Sequence, residues 1–274
     1  MNNASLELGG TNWAEKEGSL LGYAVNDTNN KYSAKEFTFG RGTNLSATRI
    51  GQTGLIEKGR ENLLLQSNQF DTTWSTAGTS VTSGQSGYDG SSDAWLLSKS
   101  GAAAYISQDV TASGIMTQSV YVKAGTLNWF VMNNSGVGSS GVYFDLQNGV
   151  LGSIGSGAIA GNIESVGNGW YRCSIVIDAS TTVRIYPANA NADVSGTSGN
   201  ILIQDAQLEL GLAASPYIET TTTAAQAGVL ETTPRLNYTT GVANPYLLLE
   251  PSRTNLIEQS EYYEGAYWST SSTI

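Results

Sequence analysis

The chain has 274 residues, of which 13% are charged and 32 are glycine, and 23 acids against 13 bases give a net charge of -10. Repulsion from phosphates then argues against a nucleic-acid partner, and the absence of histidine excludes imidazole bases and imidazole metal ligands, and with them the Ser-His-Asp and zinc-hydrolase classes. With so few ions the surface has to be made from Ser, Thr, Asn, Gln and Gly, the palette of short strands and tight turns.

Residues 1–60 hold seven bases and six acids, which leaves six bases and seventeen acids for residues 61–274. The first segment is electrostatically a different object. Its start, "MNNASLELGG", has neither a basic n-region nor an apolar h-region, which predicts synthesis in the cytoplasm without export by the usual signal. No window of the chain approaches the roughly 20 apolar residues of a membrane span, so no membrane insertion is expected. Short apolar scraps such as "SLLGYAV" and "KEFTFG" never sustain a helical period, and residues 1–60 are expected to form an arm. Two readings fit Trp13, Leu20, Leu21 and Tyr23 within it: docking onto a partner, or a short terminal element folded back on the residues beyond it.

From residues 61 to 220 the pattern changes to short alternating runs spaced by turn residues, which predicts an all-β, antiparallel sandwich. In "VYFDLQNGV", Val142, Phe144 and Leu146 alternate with Tyr143, Asp145 and Gln147, and Asn148-Gly149 offers the two positive-φ residues of a type I′ hairpin turn. In "YRCSIVI", Tyr171, Cys173, Ile175 and Ile177 share one face, with Arg172, Ser174 and Val176 on the other. Cys173, the single cysteine, therefore reads as a buried inert thiol. Trp95, Tyr105, Trp129 and Phe130 sit in apolar surroundings and read as core.

Three motifs invite chemistry. "GVGSSG" at 136–141 matches the dinucleotide glycine pattern, but a strand follows it where a helix N-terminus is needed to hold a pyrophosphate. "YDGSSDAW" puts Asp89 and Asp93 in one loop, as a simple Asp-Gly turn or as two oxygen ligands of a structural calcium ion; no other metal or cofactor is expected. The third motif depends on pairing. If residues 170–177 and 183–187 form a hairpin across "DASTT", then Trp170, Arg172, Arg184 and Tyr186 all point away from the face that buries Ile175, Ile177, Val183 and Ile185. Aromatic rings stack on the apolar face of a sugar, and a guanidinium fork binds its hydroxyls or a uronate carboxylate. The alternative is that the arginines neutralise neighbouring acids while Trp170 plugs one end of the sandwich. No pair of carboxylates shows the placement that glycoside hydrolysis needs, and no enzymatic activity is expected.

Residues 221–252 carry Pro234, Pro245 and Pro251 and read as a stiffened linker. Residues 253–274 then repeat something already written. "NLLLQSNQFDTTWST" at 62–76 aligns with "NLIEQSEYYEGAYWST", pairing Asn62 with Asn255, Gln66 with Gln259, Ser67 with Ser260, Phe70 with Tyr263 and, after one insertion, Trp74 with Trp268. Upstream, "TRIGQTGLIE" resembles "PRLNYTTGV", pairing Arg49 with Arg235. A whole lead-in stretch is written twice, and residues 253–274 are expected to be the first strand of a second, incomplete module.

The stretches "LGGTNWAEKEGSLLGYAV", "FTFGRGTNLSATRIGQTGLIE" and "LLLEPSRTNLIEQSEYYEGAYW" resemble segments that recur in large virion proteins of tailed bacteriophages, particularly head and tail fibres. "SVYVKAG", "IESVGNGWYRCSI", "RIYPANA" and "AQLELGLAASPYIET" resemble the jelly-roll module, similar to carbohydrate-binding modules, that such proteins carry. The resemblance implies a homo-oligomeric structural or adhesive protein, located in the virion and assembled in the bacterial cytoplasm. It implies other virion proteins as partners through the arm, and surface glycans as ligands of the module. A homotrimer or homodimer is expected, because a projecting chain with a sparse local core gains stability from lateral contacts.

Overall fold

The computed structural model describes residues 6–7, 13–16, 19–26, 31–38, 48–51, 53–135, 141–229, 235–239 and 246–247. All regular structure among them is β: β1 (Leu6–Glu7), β2 (Trp13–Lys16), β3 (Ser19–Asn26), β4 (Lys31–Thr38), β5 (Thr48–Ile50), β6 (Ile56–Lys58), β7 (Arg60–Asn62), β8 (Ser75–Ala77), β9 (Thr79–Gln85) and β10 (Ala94–Lys99) come first. They are followed by β11 (Tyr105–Ala124), β12 (Trp129–Ser135), β13 (Val142–Asp145), β14 (Val150–Ile154), β15 (Ala158–Gly167), β16 (Trp170–Ala188), β17 (Gly199–Leu210), β18 (Ala225–Ala227), β19 (Leu236–Asn237) and β20 (Tyr246–Leu247). Two compact units result, one from residues 1–60 with 226–256, the other based on residues 61–225. The proposed start of a second module, residues 253–274, lies outside the described residues.

In the first unit the segment read as an arm contains a small antiparallel sheet. β1 and β2 follow one another along one edge of β3, and β4 lines the other. The stretches around the paired Arg49 and Arg235 each form a hairpin, β5 with β6 and β19 with β20. They are also bonded to one another. Arg235 donates to the Thr48 carbonyl from Nε (2.8 Å) and Nη2 (2.6 Å), Ile50 N–H donates to Asn237 Oδ1 (2.6 Å), and Tyr238 N–H donates to the Ile50 carbonyl (3.0 Å).

The second unit is a jelly-roll-like β-sandwich, and its construction depends on two very long strands. The first part of β11 (Ile106 to Asp109) pairs with the second part of β16 (Thr182 to Ile185), and the remainder of β11 (Ile115 to Lys123) pairs with the first part of β16 (Trp170 to Asp178). Between them the register breaks twice on β11, at Asp109/Ala112 and Ala112/Ile115, beside Gly114 at φ 87°. Bulges bend a strand and let it pass from one sheet into the other. One leaf therefore runs β9-β10-β17-β11-β16-β15, and the other runs β8-β11-β16-β12-β13-β14.

The core lies between the leaves. Trp95, Leu97, Met116, Val120, Cys173, Ile175, Ile201 and Leu208 face it from the first, and Ile106, Phe130, Met132, Phe144, Val183 and Ile185 from the second. Phe130 and Phe144, opposite one another in the β12–β13 register, stack at 4.8 Å. The expected alternation of Val142, Phe144 and Leu146 is present, all three being buried. The turn differs. Only Gly149 has positive φ, and residues 146–149 form a longer loop in which Asp145 Oδ1 accepts the N–H groups of Gln147 (2.9 Å) and Asn148 (3.2 Å). A carboxylate holding two amides favours the wider loop over the two-residue turn.

In the first copy of the repeat, the positions shared with the second are packing positions. Asn62, Ser67, Phe70 and Trp74 are all buried. Asn62 donates to the carbonyls of Ala206 (3.1 Å) and Ile218 (2.8 Å) and accepts from the N–H groups of Leu64 and Leu208 (both 3.1 Å), so its amide is fully used. Trp74 and Trp95 pack on Phe70 at 5.0 and 6.2 Å.

One core residue breaks this economy. Gln118 lies between Met116 and Val120 on the inward face of β11, opposite Ile175 and Leu208, and neither atom of its amide has a hydrogen-bond partner. A buried unpaired amide costs about 1–3 kcal/mol. Gln118→Met, of similar length and unbranched, is expected to raise the unfolding free energy by about that amount in urea titration. An equal or lower midpoint would show that the amide is satisfied in solution.

Candidate functional site

The hairpin across "DASTT" does not form. Residues 170–188 are one strand, and both of its parts pair with β11 rather than with each other. The predicted facing survives, since Ile175, Ile177, Val183 and Ile185 are all fully buried toward the core. The constellation does not: Trp170 and Arg172 lie in the first leaf, Arg184 and Tyr186 in the second. The reason is that alternation has the same phase whether a chain turns back or runs on through a bend.

Arg172 sits on the outer face of the first leaf. Opposite pairs Ala160 and Val176, Asn162 and Ser174, and Glu164 and Arg172 from β15 and β16 make the floor of a cleft of about 270 Å³. Leu212, Ala213 and Ala214, just after β17, wall it. That wall is fixed by buried polar groups on β17: Glu209 Oε1 accepts from Ser215 N–H (2.7 Å) and from Gln207 Nε2 (2.6 Å), and Gln207 Oε1 accepts from Ile218 N–H (2.8 Å). The guanidinium is held in turn, with Nη2 donating to the Ser215 carbonyl and Cζ 5.4 Å from the centre of the Tyr121 ring. Its Nε is buried without a partner. A held guanidinium, an exposed carboxylate, an amide and a hydroxyl converge on a partly apolar floor, an arrangement suited to a hydroxyl-rich ligand.

Trp170 is a core residue of a second, small cluster with Ala94 and Tyr121, against which Tyr88, Leu202 and Tyr217 pack. It is 1% exposed, so in this conformation it offers no ring face to a ligand. The alternative expectation, a plug for the sandwich, fits better. Tyr88 stacks on Tyr121 at 3.7 Å and meets Trp170 edge-on at 6.4 Å.

Beside this cluster lies Asp205, a residue that no sequence pattern singled out. It is 7% exposed and has φ 55°. Tyr88 Oη donates to its Oδ2 (3.0 Å), and its own N–H donates to Asn68 Oδ1 (3.2 Å). Burial pushes its carboxyl up to about 7; the Tyr88 hydroxyl opposes this, and the charges of Asp93, Asp89 and Glu219 add to it. Burial likewise raises the hydroxyls of Tyr88 and Tyr217, with the Asp205 charge adding. A signal was present in "ILIQDAQLEL": Ile201 and Ile203 are in one phase, Ala206 and Leu208 in the other. That shift is the bulge, seen where Ser119 pairs with Gln207 and Tyr121 with Gln204.

Asp89 and Asp93, considered as calcium ligands, turn to protein donors. Asp89 Oδ1 accepts from Ser91 N–H (3.0 Å), and Asp93 Oδ1 accepts from Gln204 Nε2 (2.7 Å) and from the Ser91 hydroxyl. Arg184 and Tyr186 form a separate group: the guanidinium lies 5.1 Å from the Tyr105 ring centre, and the rings of Tyr105 and Tyr186 are 4.8 Å apart. Burial raises the Tyr186 hydroxyl while Arg184 draws it down. The Cys173 thiol, fully buried, is raised well above its usual range by burial alone, as an inert thiol should be. Most of the glycine motif at 136–141 lies outside the described residues, and the strand expected after it is β13.

In the first unit, β2 and β3 bring the four arm residues into one sheet. Trp13 is opposite Gly22, Leu20 opposite Glu15 and Phe37, Leu21 opposite Ala14 and Glu36, and Tyr23 opposite Glu7 and Ala34.

No family model matches the chain, and no curated protein matches it.

Proposed function

We propose that this chain is a structural component of a tailed-phage virion, a head or tail fibre or spike assembled in the bacterial cytoplasm. Its N-terminal segment anchors it to other virion proteins, and the jelly-roll-like sandwich is displayed outward in a homotrimer or homodimer. The observation that carries the reading is the internal repeat. The residues written twice are those that staple the sandwich together at Asn62, Ser67, Phe70 and Trp74, so their recurrence from Asn255 to Trp268 marks modules built in series, the architecture of a projecting fibre. Electron microscopy of particles carrying this chain, with an antibody against residues 61–220, is expected to label projections on head or tail. Unlabelled particles alongside labelled soluble protein would sink the proposal.

A second reading, a carbohydrate-binding adhesin, is favoured by the cleft at Arg172. Its small size suits one terminal sugar, and repetition of a weak site over an oligomer supplies avidity. Glu164 is exposed, so Glu164→Ala leaves the fold intact. Saturable binding to a glycan panel, weakened about tenfold by Glu164→Ala, is the expected result, since a hydrogen bond to a charged group is worth at least about 1.5 kcal/mol. Absence of saturable binding across the panel would leave the structural role alone.

A further inference from the structure

The loop between β9 and β10 covers the aromatic cluster at Trp170 through one residue. Tyr88 lies flat on Tyr121 and edge-on to Trp170, and its hydroxyl is tied to Asp205. Other ties are polar and run mainly to β17 and the segment after β7: Tyr88 N–H to Gln204 Oε1 (3.1 Å), Gln204 Nε2 to Asp93 Oδ1 (2.7 Å), and Asn68 Nδ2 to the Asp93 carbonyl (3.3 Å). The loop itself, "SGYDGSSD", is glycine- and serine-rich, with Gly90 at φ 86°.

The charges around Asp205 are one-sided. The loop presents Asp89 and Asp93, and the segment after β17 presents Glu219 together with the hydroxyl of Tyr217. From β11 comes Tyr121, and the Arg172 guanidinium on β16 that lies over its ring is also engaged with Ser215. Among the described residues no lysine or arginine forms an ion pair with Asp205. A carboxylate placed there loses water and gains three like charges; lifting the loop restores the water and removes two of those charges.

We propose that residues 86–93 form a proton-controlled latch, closed over Tyr121 and Trp170 while the Asp205 carboxyl keeps its proton and opening as that proton leaves. Opening frees the Tyr121 face that Tyr88 covers. A carboxyl that is raised to about 7 when closed and falls toward its ordinary range when the loop lifts makes the opening constant rise with pH, by up to about tenfold per unit, and level off once the closed-state value is passed.

Hydrogen exchange on the full chain, corrected for intrinsic rates, tests this from pH 4 to pH 9. The amides of Gly87, Tyr88 and Ser91, bonded to Ser91, Gln204 and Asp89, are the reporters. Their protection is expected to fall with rising pH, by up to about tenfold per unit, and to hold from about pH 7 at the latest, while protection in β12 and β13 stays constant. In Asp205→Asn, an isostere suited to positive φ, loop protection is expected to be independent of pH. Tyr88→Phe keeps the carboxyl and loses its tie, so the loop opens more at every pH but with the slope retained; this variant carries the test should Asp205→Asn fail to fold. Flat loop protection in the wild type, an equal slope in β12 and β13, or an unchanged slope in Asp205→Asn would overturn the latch.

Discussion

Trp170→Ala is expected to lower the unfolding free energy by about 3–5 kcal/mol, the range for truncating a large buried aromatic. The indole is among the largest fully buried side chains and supports both Tyr121 and the edge of Tyr88. Removing it leaves a cavity between β11, β16 and the loop, with rings that cannot collapse into it because the loop is hydrogen-bonded to Gln204. Had Trp170 been an exposed stacking platform, its loss would change ligand affinity at nearly constant stability, since surface substitutions usually stay within about 0.5 kcal/mol. Urea unfolding distinguishes the two. A loss below about 1 kcal/mol would show that the ring is not part of the packing. The consequence reaches the adhesin reading: lost glycan binding in Trp170→Ala would report a damaged sandwich, so Glu164 is the position at which binding and folding separate.

How much of this was legible in advance can be read from single strands. Period-two alternation located the buried faces of β13 and β16 correctly, because inward residues on a half-buried strand must be apolar wherever the strand leads. The same property hid the connection at 178–182. Polar residues look alike in a turn and at a bend between two leaves, and strands of 19 and 20 residues are far longer than the usual five or six. Of the four residues selected for sugar binding, only Arg172 lines the cleft. Trp170 went into packing, and Arg184 and Tyr186 into a different leaf. Asp205 escaped selection because its chemistry comes from burial by the loop and from three carboxylates, two of them distant in sequence, none of which a local pattern records. Its bulge was readable as a change of phase in β17, but the burial was not.

Among the described residues, the stability change expected between pH 4 and pH 7 also originates there. Between the ordinary titration near 3.8 and the folded value of about 7, the folded chain holds a proton on Asp205 that the unfolded chain has released. Folded protein then binds more protons than unfolded, so stability falls as pH rises through that window and is constant above it. Three pH units correspond to about 4 kcal/mol. Asp89 and Asp193 act in the other direction: hydrogen bonds from Ser91 and Ser195 lower their carboxyls, so their contribution is present above the ordinary range and lost at more acid pH. The two windows do not overlap, which among the described residues leaves the slope between pH 4 and pH 7 to Asp205. Urea unfolding is expected to show wild-type stability falling across that range while Asp205→Asn stays level and is the more stable at pH 8. A parallel fall in both proteins would remove Asp205 as the cause. The size of the wild-type loss carries a further distinction. With the loop shut throughout, the full loss of about 4 kcal/mol is reached. If the loop lifts first, the carboxylate is hydrated inside a protein that is still folded, and the loss stops at the free energy of opening. A profile that levels off below pH 7, at the pH where loop amides lose protection, is therefore the signature that the strain at Asp205 is relieved locally before the sandwich unfolds.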